Sequence, residues 1–330
     1  KRSFTYLGAP FGFATVPSIG VVAQNAANAT TANYQGTPGS GGLWRLQTPL
    51  ASSAAACTAP TATCALTRQD GSAKTRLVTT YALGAATPGW DGGGATVANV
   101  TVSSGNNGTG TLAFGADRLA LYRNPTTPQA AYTAAVTVAV QLDDLREAAP
   151  SGNPPAISGS ITATALPFDS GAEFRYGAMR MSSAYGSELL DLTIPLQTQY
   201  WNGAALVQNT ADHCTAFVAG NIALTNYQGA LSAANMGASH LSIGPITGGA
   251  GTITLTKPSP VAAGSVDLVV NLGSSGVPAN CPNYSTAGSV SAAKRWLSGN
   301  WCGSNYDRDP TARATFGASR TPLILRREKY

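Results

Sequence analysis

The sequence predicts an all-β protein built as tandem Ig-like, Greek-key β-sandwiches with disulfide-stapled loops. Three observations lead there. Apolar residues recur with a period of two rather than 3.6, turn residues interrupt the runs at short intervals, and convincing helix signals are few. Residues 131–142, reading AYTAAVTVAVQL, show the alternation most plainly.

Taken in chain order, the alternating runs predict strands at 14–24, 76–83, 95–103, 110–114, 131–142, 157–165, 251–257 and 265–272. Between them stand turn residues: DGGG at 91–94, NNG at 106–108, GG at 248–249 and GSSG at 273–276. Asn-Gly and Gly-rich pairs supply the positive φ that tight turns require. One helix is predicted at 289–299 (SVSAAKRWLSG), which has Ser at its start and Gly at its end. A helical turn is expected near 210–217. The stretch 147–155, EAAPSGNPP, reads as a linker because its prolines remove strand donors. It divides the chain into an Ig-like sandwich at 1–147 and a C-terminal β domain at 148–330. The Ala-, Ser- and Thr-rich loop at 48–63 reads as an insertion clipped by cysteines.

Only 11% of the 330 residues are charged, so Ser, Thr, Asn, Gln and Gly must form much of the surface. An average soluble domain carries roughly 25%. This composition favours a secreted or cell-surface β protein over a cytosolic enzyme. The net charge is +5, yet the basic residues are scattered apart from Arg326, Arg327 and Lys329. Nucleic-acid binding calls for a basic stripe, and none is visible. No apolar run reaches 18 residues, so neither a membrane-spanning helix nor membrane insertion is expected. A chain beginning at Lys1 reads most simply as a mature or trimmed segment of an exported precursor.

The five cysteines are Cys57, Cys64, Cys214, Cys281 and Cys302. With no CxxC and two histidines, a zinc site is not expected. Disulfides suit an oxidising compartment. The short loops favour Cys57–Cys64 and Cys281–Cys302, with Cys214 competing for Cys281 or Cys302. One thiol is left over on any pairing.

No nucleophile elbow, zinc-protease helix or phosphate loop occurs, and no enzyme activity or catalytic residue is expected. Asp212-His213-Cys214 sets an acid, a base and a thiol side by side. Neighbours on an extended strand point to opposite faces, which argues against a working dyad. No cofactor is expected. Asp307 and Asp309 are candidate Ca²⁺ ligands, although Arg308 intrudes between them and the spaced Asp pattern of a calcium loop is missing. Among the aromatics, Trp90 in the turn GWDGGG reads as the exposed one. With Asp91 it is the candidate glycan-binding position.

An ordered series of motifs fills the C-terminal half. Glu173-Phe174-Arg175-Tyr176-Gly177 leads through Met179-Arg180-Met181 to Ala184-Tyr185-Gly186-Ser187-Glu188-Leu189. Pro195-Leu196, Gln199-Tyr200-Trp201-Asn202-Gly203 and Asn209-x-x-Asp212-x-Cys214-Thr215 follow, and then Asp309-Pro310-Thr311-Ala312-Arg313-Ala314-Thr315-Phe316-Gly317. The series resembles the C-terminal domain of MSHA-type pilus biogenesis proteins, the MshQ family, over roughly 170–330. Residues 22–26 and 31–36 resemble the Ig-like region that precedes it. The sequence departs from the pattern at 318–322, where a Gly/Asn turn is expected, and an upstream lectin-like domain is not included. Glu188 is expected to pair with Arg175 or Arg180.

The resemblance implies an exported structural or adhesive component of a type IV, MSHA-like pilus or another surface appendage, reached through the periplasm. Its partners would be pilins, other appendage subunits or further copies of itself. The alternative is a glycan- or surface-binding module of a secreted adhesin. The edges to watch for strand pairing are residues 4–13 and 321–326.

Overall fold

Among the described residues period-two patterning is realised as strands, and the only helical segments there are three-residue 3-10 turns. The structure, a computed structural model, describes residues 3–25, 27–36, 51–56, 63–69, 75–83, 88–91, 100–114, 117–134, 136–144, 156–162, 168–274 and 280–317. The chain forms two compact units, residues 1–124 with 128–176 and residues 125–127 with 177–330.

The first unit carries β1 (Phe4–Tyr6), β2 (Ser18–Val22), β3 (Ala51–Ala56), β4 (Thr63–Gln69), β5 (Thr75–Leu83) and β6 (Val100–Ser104). It continues with β7 (Thr109–Phe114), β8 (Tyr132–Thr133), β9 (Val136–Asp144), β10 (Ala156–Thr162) and β11 (Glu173–Arg175). The described strands form three sheets, with strand orders β1-β11-β8, β10-β9-β5-β4-β3 and β2-β7-β6. All pairings are antiparallel except β1 with β11, where Thr5 lies opposite Phe174. The predicted strand over 4–13 contracts to β1, followed by isolated bridges from Phe11 to Leu119 and from Phe13 to Phe168. Its aromatics pack rather than pair. Phe11 meets Phe168 and Phe174 edge to face, each at 5.1 Å between ring centroids.

The first unit extends past the proline-rich stretch 147–155. β10 pairs with β9 from Ala156 opposite Asp143 to Thr162 opposite Thr137, and β11 pairs with β1. Backbone pairing thus joins the flanks of that stretch within one sheet, and the two units divide after Tyr176.

The second unit carries β12 (Gly177–Met181), β13 (Ala184–Gly186), β14 (Leu192–Trp201), β15 (Leu206–Gln208) and β16 (Ile222–Gly229). β17 (Leu241–Ile243), β18 (Ala250–Leu255), β19 (Gly264–Val270) and β20 (Thr311–Phe316) complete it. One sheet runs β12-β14-β18-β17, with β15 also on β14, and the other runs β13-β20-β19-β16. Their inner faces are buried and apolar: Ile194, Leu196, Ile253 and Leu255 in one, Val266, Leu268, Ala314 and Phe316 in the other. Alternation along β14 buries Leu192, Ile194 and Leu196 and exposes Thr193 and Pro195. Pro195 is tolerated because β12 stops one residue short of it, at Met181 opposite Leu196, leaving β14 an edge there.

The predicted helix at 289–299 does not form; only Arg295–Leu297 makes a 3-10 turn. The backbone donors of this stretch bond to other segments instead. Val290, Ala292 and Lys294 donate N–H to the carbonyls of Gly220, Asn271 and Leu272. Ala293, at φ +50°, leaves the right-handed helical region altogether. The turn expected at 210–217 is likewise no helix. The Asp212 carboxylate accepts the N–H groups of Cys214 and Thr215 and the Thr215 hydroxyl, and so caps an irregular turn. Cys281 and Cys302 form a disulfide across 21 residues with Cα atoms 5.7 Å apart. Cys64 is also disulfide-bonded, while Cys57 lies outside the described residues.

Candidate functional site

The β13-β20 end of the second unit presents a short edge strand with exposed apolar side chains. β13 runs parallel to β20, with Ala184, Tyr185 and Gly186 opposite Ala314, Thr315 and Phe316. Ala314 and Phe316 point into the core, so Tyr185, level with Thr315, stands on the outer face. It is 86% exposed. The turn that follows holds two further large apolar residues outward, Leu189 at 60% and Leu190 at 67% exposure. Ser187 builds that turn: its hydroxyl accepts the Leu189 N–H at 3.2 Å and its carbonyl accepts the Leu190 N–H at 3.2 Å. Glu188 and Asp191 add acidic charge beside the apolar group, and Asp191 accepts the Lys257 N–H at 2.9 Å. Among the described residues β13 pairs with β20 alone, so no described strand lies along its other side.

The platform behind this edge is held by a charge pair. Arg313 on β20 donates to both oxygens of Asp267 on β19, each at 2.8 Å. The Arg313 N–H also donates to Ser183 at 3.0 Å, just ahead of β13. Asn226 donates to the same carboxylate, and Tyr284 stands against Asn226 and Arg313. Burial pushes the Asp267 carboxyl up, but the hydrogen bonds from Arg313, Tyr284 and Asn226 and the guanidinium charge outweigh it and hold the group below its ordinary range. The segment carrying Tyr284 therefore covers part of the outer face of this sheet, while Tyr185 remains open.

The sequence-predicted positions fall elsewhere. Trp90 is not exposed: it is 1% accessible, bridges to Leu121 and meets Tyr81 edge to face at 6.3 Å. A glycan has no indole face to stack on there, because the aromatic fills the core. Asp91 is partly buried beside it, its N–H donated to the Ala120 carbonyl at 2.9 Å. Asp307 and Asp309 do not converge on a common point. Asp307 pairs with Arg308 at 3.1 Å. Asp309 is 1% exposed and accepts the Ser274 hydroxyl at 2.7 Å. Burial raises the Asp309 carboxyl to about 6, against the opposing hydrogen bonds from Ser274 and Leu272 and the charge of Arg295. Among the described residues no three His, Cys, Asp or Glu side chains gather closely enough to hold a metal ion.

His213 and Cys214 are turned to different tasks: His213 Nδ1 accepts the Gly248 N–H at 3.1 Å, and Cys214 is a free, exposed thiol. Glu188 pairs with neither Arg175 nor Arg180 in the described hydrogen bonds and ion pairs. Arg175 instead meets Glu173 at 2.7 Å and lies over the Phe4 ring. The segment 321–326 lies outside the described residues. Sequence reasoning missed Tyr185, Leu189 and Leu190 as a group. The signal was three large apolar residues around Gly-Ser-Glu, too close together to share one strand face.

Fold and edge together define a protein of two all-β, sandwich-like units, the second with an open apolar strand edge among its described residues. Residues 1–163 match the third domain of the DUF6701 family and residues 175–329 match its fourth domain. The chain belongs to the DUF6701 family. No curated protein matches it.

Proposed function

We propose that the protein is an exported structural or adhesive component of a surface appendage, of the type IV, MSHA-like kind that its motif series resembles. It acts through protein–protein interfaces and carries out no covalent chemistry. Its partners are appendage subunits, pilins or further copies of the chain, outside the cell. The observation that carries this reading is the edge strand β13 with Tyr185, Leu189 and Leu190 turned to solvent. Exposed apolar side chains gathered in one place mark interaction surfaces, whereas scattered ones are ordinary. A surface with few charges suits close packing between subunits, since interface cores are depleted of charge. The Cys281–Cys302 disulfide suits an oxidising location. The test is cell fractionation with an epitope-tagged chain. The tag is expected in sheared surface filaments and labelled on intact cells; a tag confined to the cytoplasm would overturn the proposal.

A further inference from the structure

We propose that the outer face of the β12-β14-β18-β17 sheet, with β15, binds an acidic glycan, a chain of sugar units bearing carboxylates. The proposal rests on the adhesive half of the reading above and uses the sheet that does not carry β13. Strand alternation sets the face. β14 buries Leu192, Ile194 and Leu196, so Thr193, Pro195, Gln197, Gln199 and Trp201 take its other side. Arg180 lies directly opposite Gln197, and Gln208 directly opposite Gln199. Arg180 and Gln208 are exposed, while Gln197 and Trp201 are half-buried.

Three side-chain amides on this face are locked in series. Gln199 donates from Nε2 to Gln197 Oε1 at 2.6 Å, Gln197 donates to Gln208 Oε1 at 2.7 Å, and Gln208 donates to the Gly248 carbonyl at 2.7 Å. The backbone carbonyl at the end fixes which way each amide points. A primary amide has two N–H groups and two acceptor lone pairs. Gln197 and Gln208 each spend one of each in the series, so each keeps a donor and an acceptor side by side, the pattern that neighbouring sugar hydroxyls match. Holding such long side chains still costs rotamer entropy, and a ligand that meets them already fixed does not bear that cost again.

The charge pattern selects the class of glycan. The five strands of this sheet hold no acidic residue, and Arg180 is their one charged residue. Among the described residues no carboxylate pairs with Arg180. Its guanidinium can take a sugar carboxylate through two parallel hydrogen bonds. Four residues along β14 separate Gln197 from Trp201, roughly 13 Å at strand spacing. One sugar unit on Arg180 and Gln197 and a later one against the Trp201 ring therefore belong to a single short oligosaccharide. A protein partner fits this face less well, because interface cores are built on apolar and aromatic anchors, and threonine and glutamine predominate here.

The test is calorimetric titration of the full chain with oligogalacturonate, oligosialate, the methyl ester of the oligogalacturonate and, as a polyanion without sugar, polyglutamate. Both acidic sugars are expected to bind, the ester about tenfold more weakly for want of one charge-assisted pair, and polyglutamate not at all. Arg180→Gln and Gln208→Ala change exposed positions and leave the unfolding midpoint in place. Arg180→Gln should remove the preference for the acid over its ester, and Gln208→Ala should weaken both about fivefold. Failure of both acidic sugars to bind overturns the proposal. So does equal binding of the ester or of polyglutamate, or binding that both variants leave unchanged. Fractionation of the tagged chain tests the exported, adhesive reading separately, so either can fail alone.

Discussion

Single carboxylates set how this protein responds to pH, and two of them act in opposite directions. Asp309 is buried and its folded pKa of about 6 lies above the ordinary 3.8. The native state therefore holds its proton more tightly than the unfolded chain. Stability from this group is fully present below about pH 4 and is lost as pH rises to about 6, on the order of 3 kcal/mol in all. Asp309→Asn removes that dependence, so its unfolding free energy relative to wild type should rise across this window; chemical denaturation at pH 4, 5, 6 and 7 checks it. Asp267 has the opposite sign. Its folded pKa is depressed, so its contribution is present above about pH 4 and fades as pH falls further. Arg313→Ala leaves that buried carboxylate without two charge-assisted hydrogen bonds and should cost about 2 kcal/mol at neutral pH. The same denaturation assay reads it, and Arg313→Lys should recover part of the loss, because an ammonium does not bridge both oxygens.

Among the strands and turns, regular strands were legible in the sequence and the aromatic positions much less so. The runs at 76–83, 110–114, 251–257 and 265–272 match β5, β7, β18 and β19 closely; the first three bury one apolar face, and β19 is buried on both. β14 was harder to read: Pro195 interrupts its pattern, and only the place where β12 stops explains why the strand survives. The segment 289–299 shows the limit of cap signals. Serine and glycine stand at suitable ends, yet the N–H groups of Val290, Ala292 and Lys294 are taken by Gly220, Asn271 and Leu272, distant segments that local sequence does not announce. Trp90 fails for the same reason. Its glycine neighbours suggest a loop tip, while the contacts that bury it come from Tyr81 and Leu121. Trp90→Ala should therefore cost about 3–5 kcal/mol, read as a lowered unfolding midpoint. The loop clipped by Cys281 and Cys302 has a constraint that sequence spacing did predict. Replacing both with serine should lower stability by about 3 kcal/mol, and Cys214 should remain the thiol that reacts readily with Ellman's reagent in the native wild type.

Across the full chain, two all-β units of one family stand in series, and the candidate site belongs to the second. Its geometry depends on packing that the sequence shows only after folding. Tyr185 is exposed because β13 takes its register from β20, and β20 is held to β19 by Arg313 and Asp267. A change at Arg313 should thus weaken any interface built on β13, whereas a change at Tyr185 should weaken the interface and leave stability within about 0.5 kcal/mol. Whether this edge joins subunits outside the cell is decided by quantitative labelling of surface filaments from cells that express either the wild-type chain or Tyr185→Arg at equal levels. Wild-type chain is expected within the filaments and the variant released as soluble, folded protein. Equal incorporation of both, or no incorporation of either, would show that β13 is not the surface through which this protein acts.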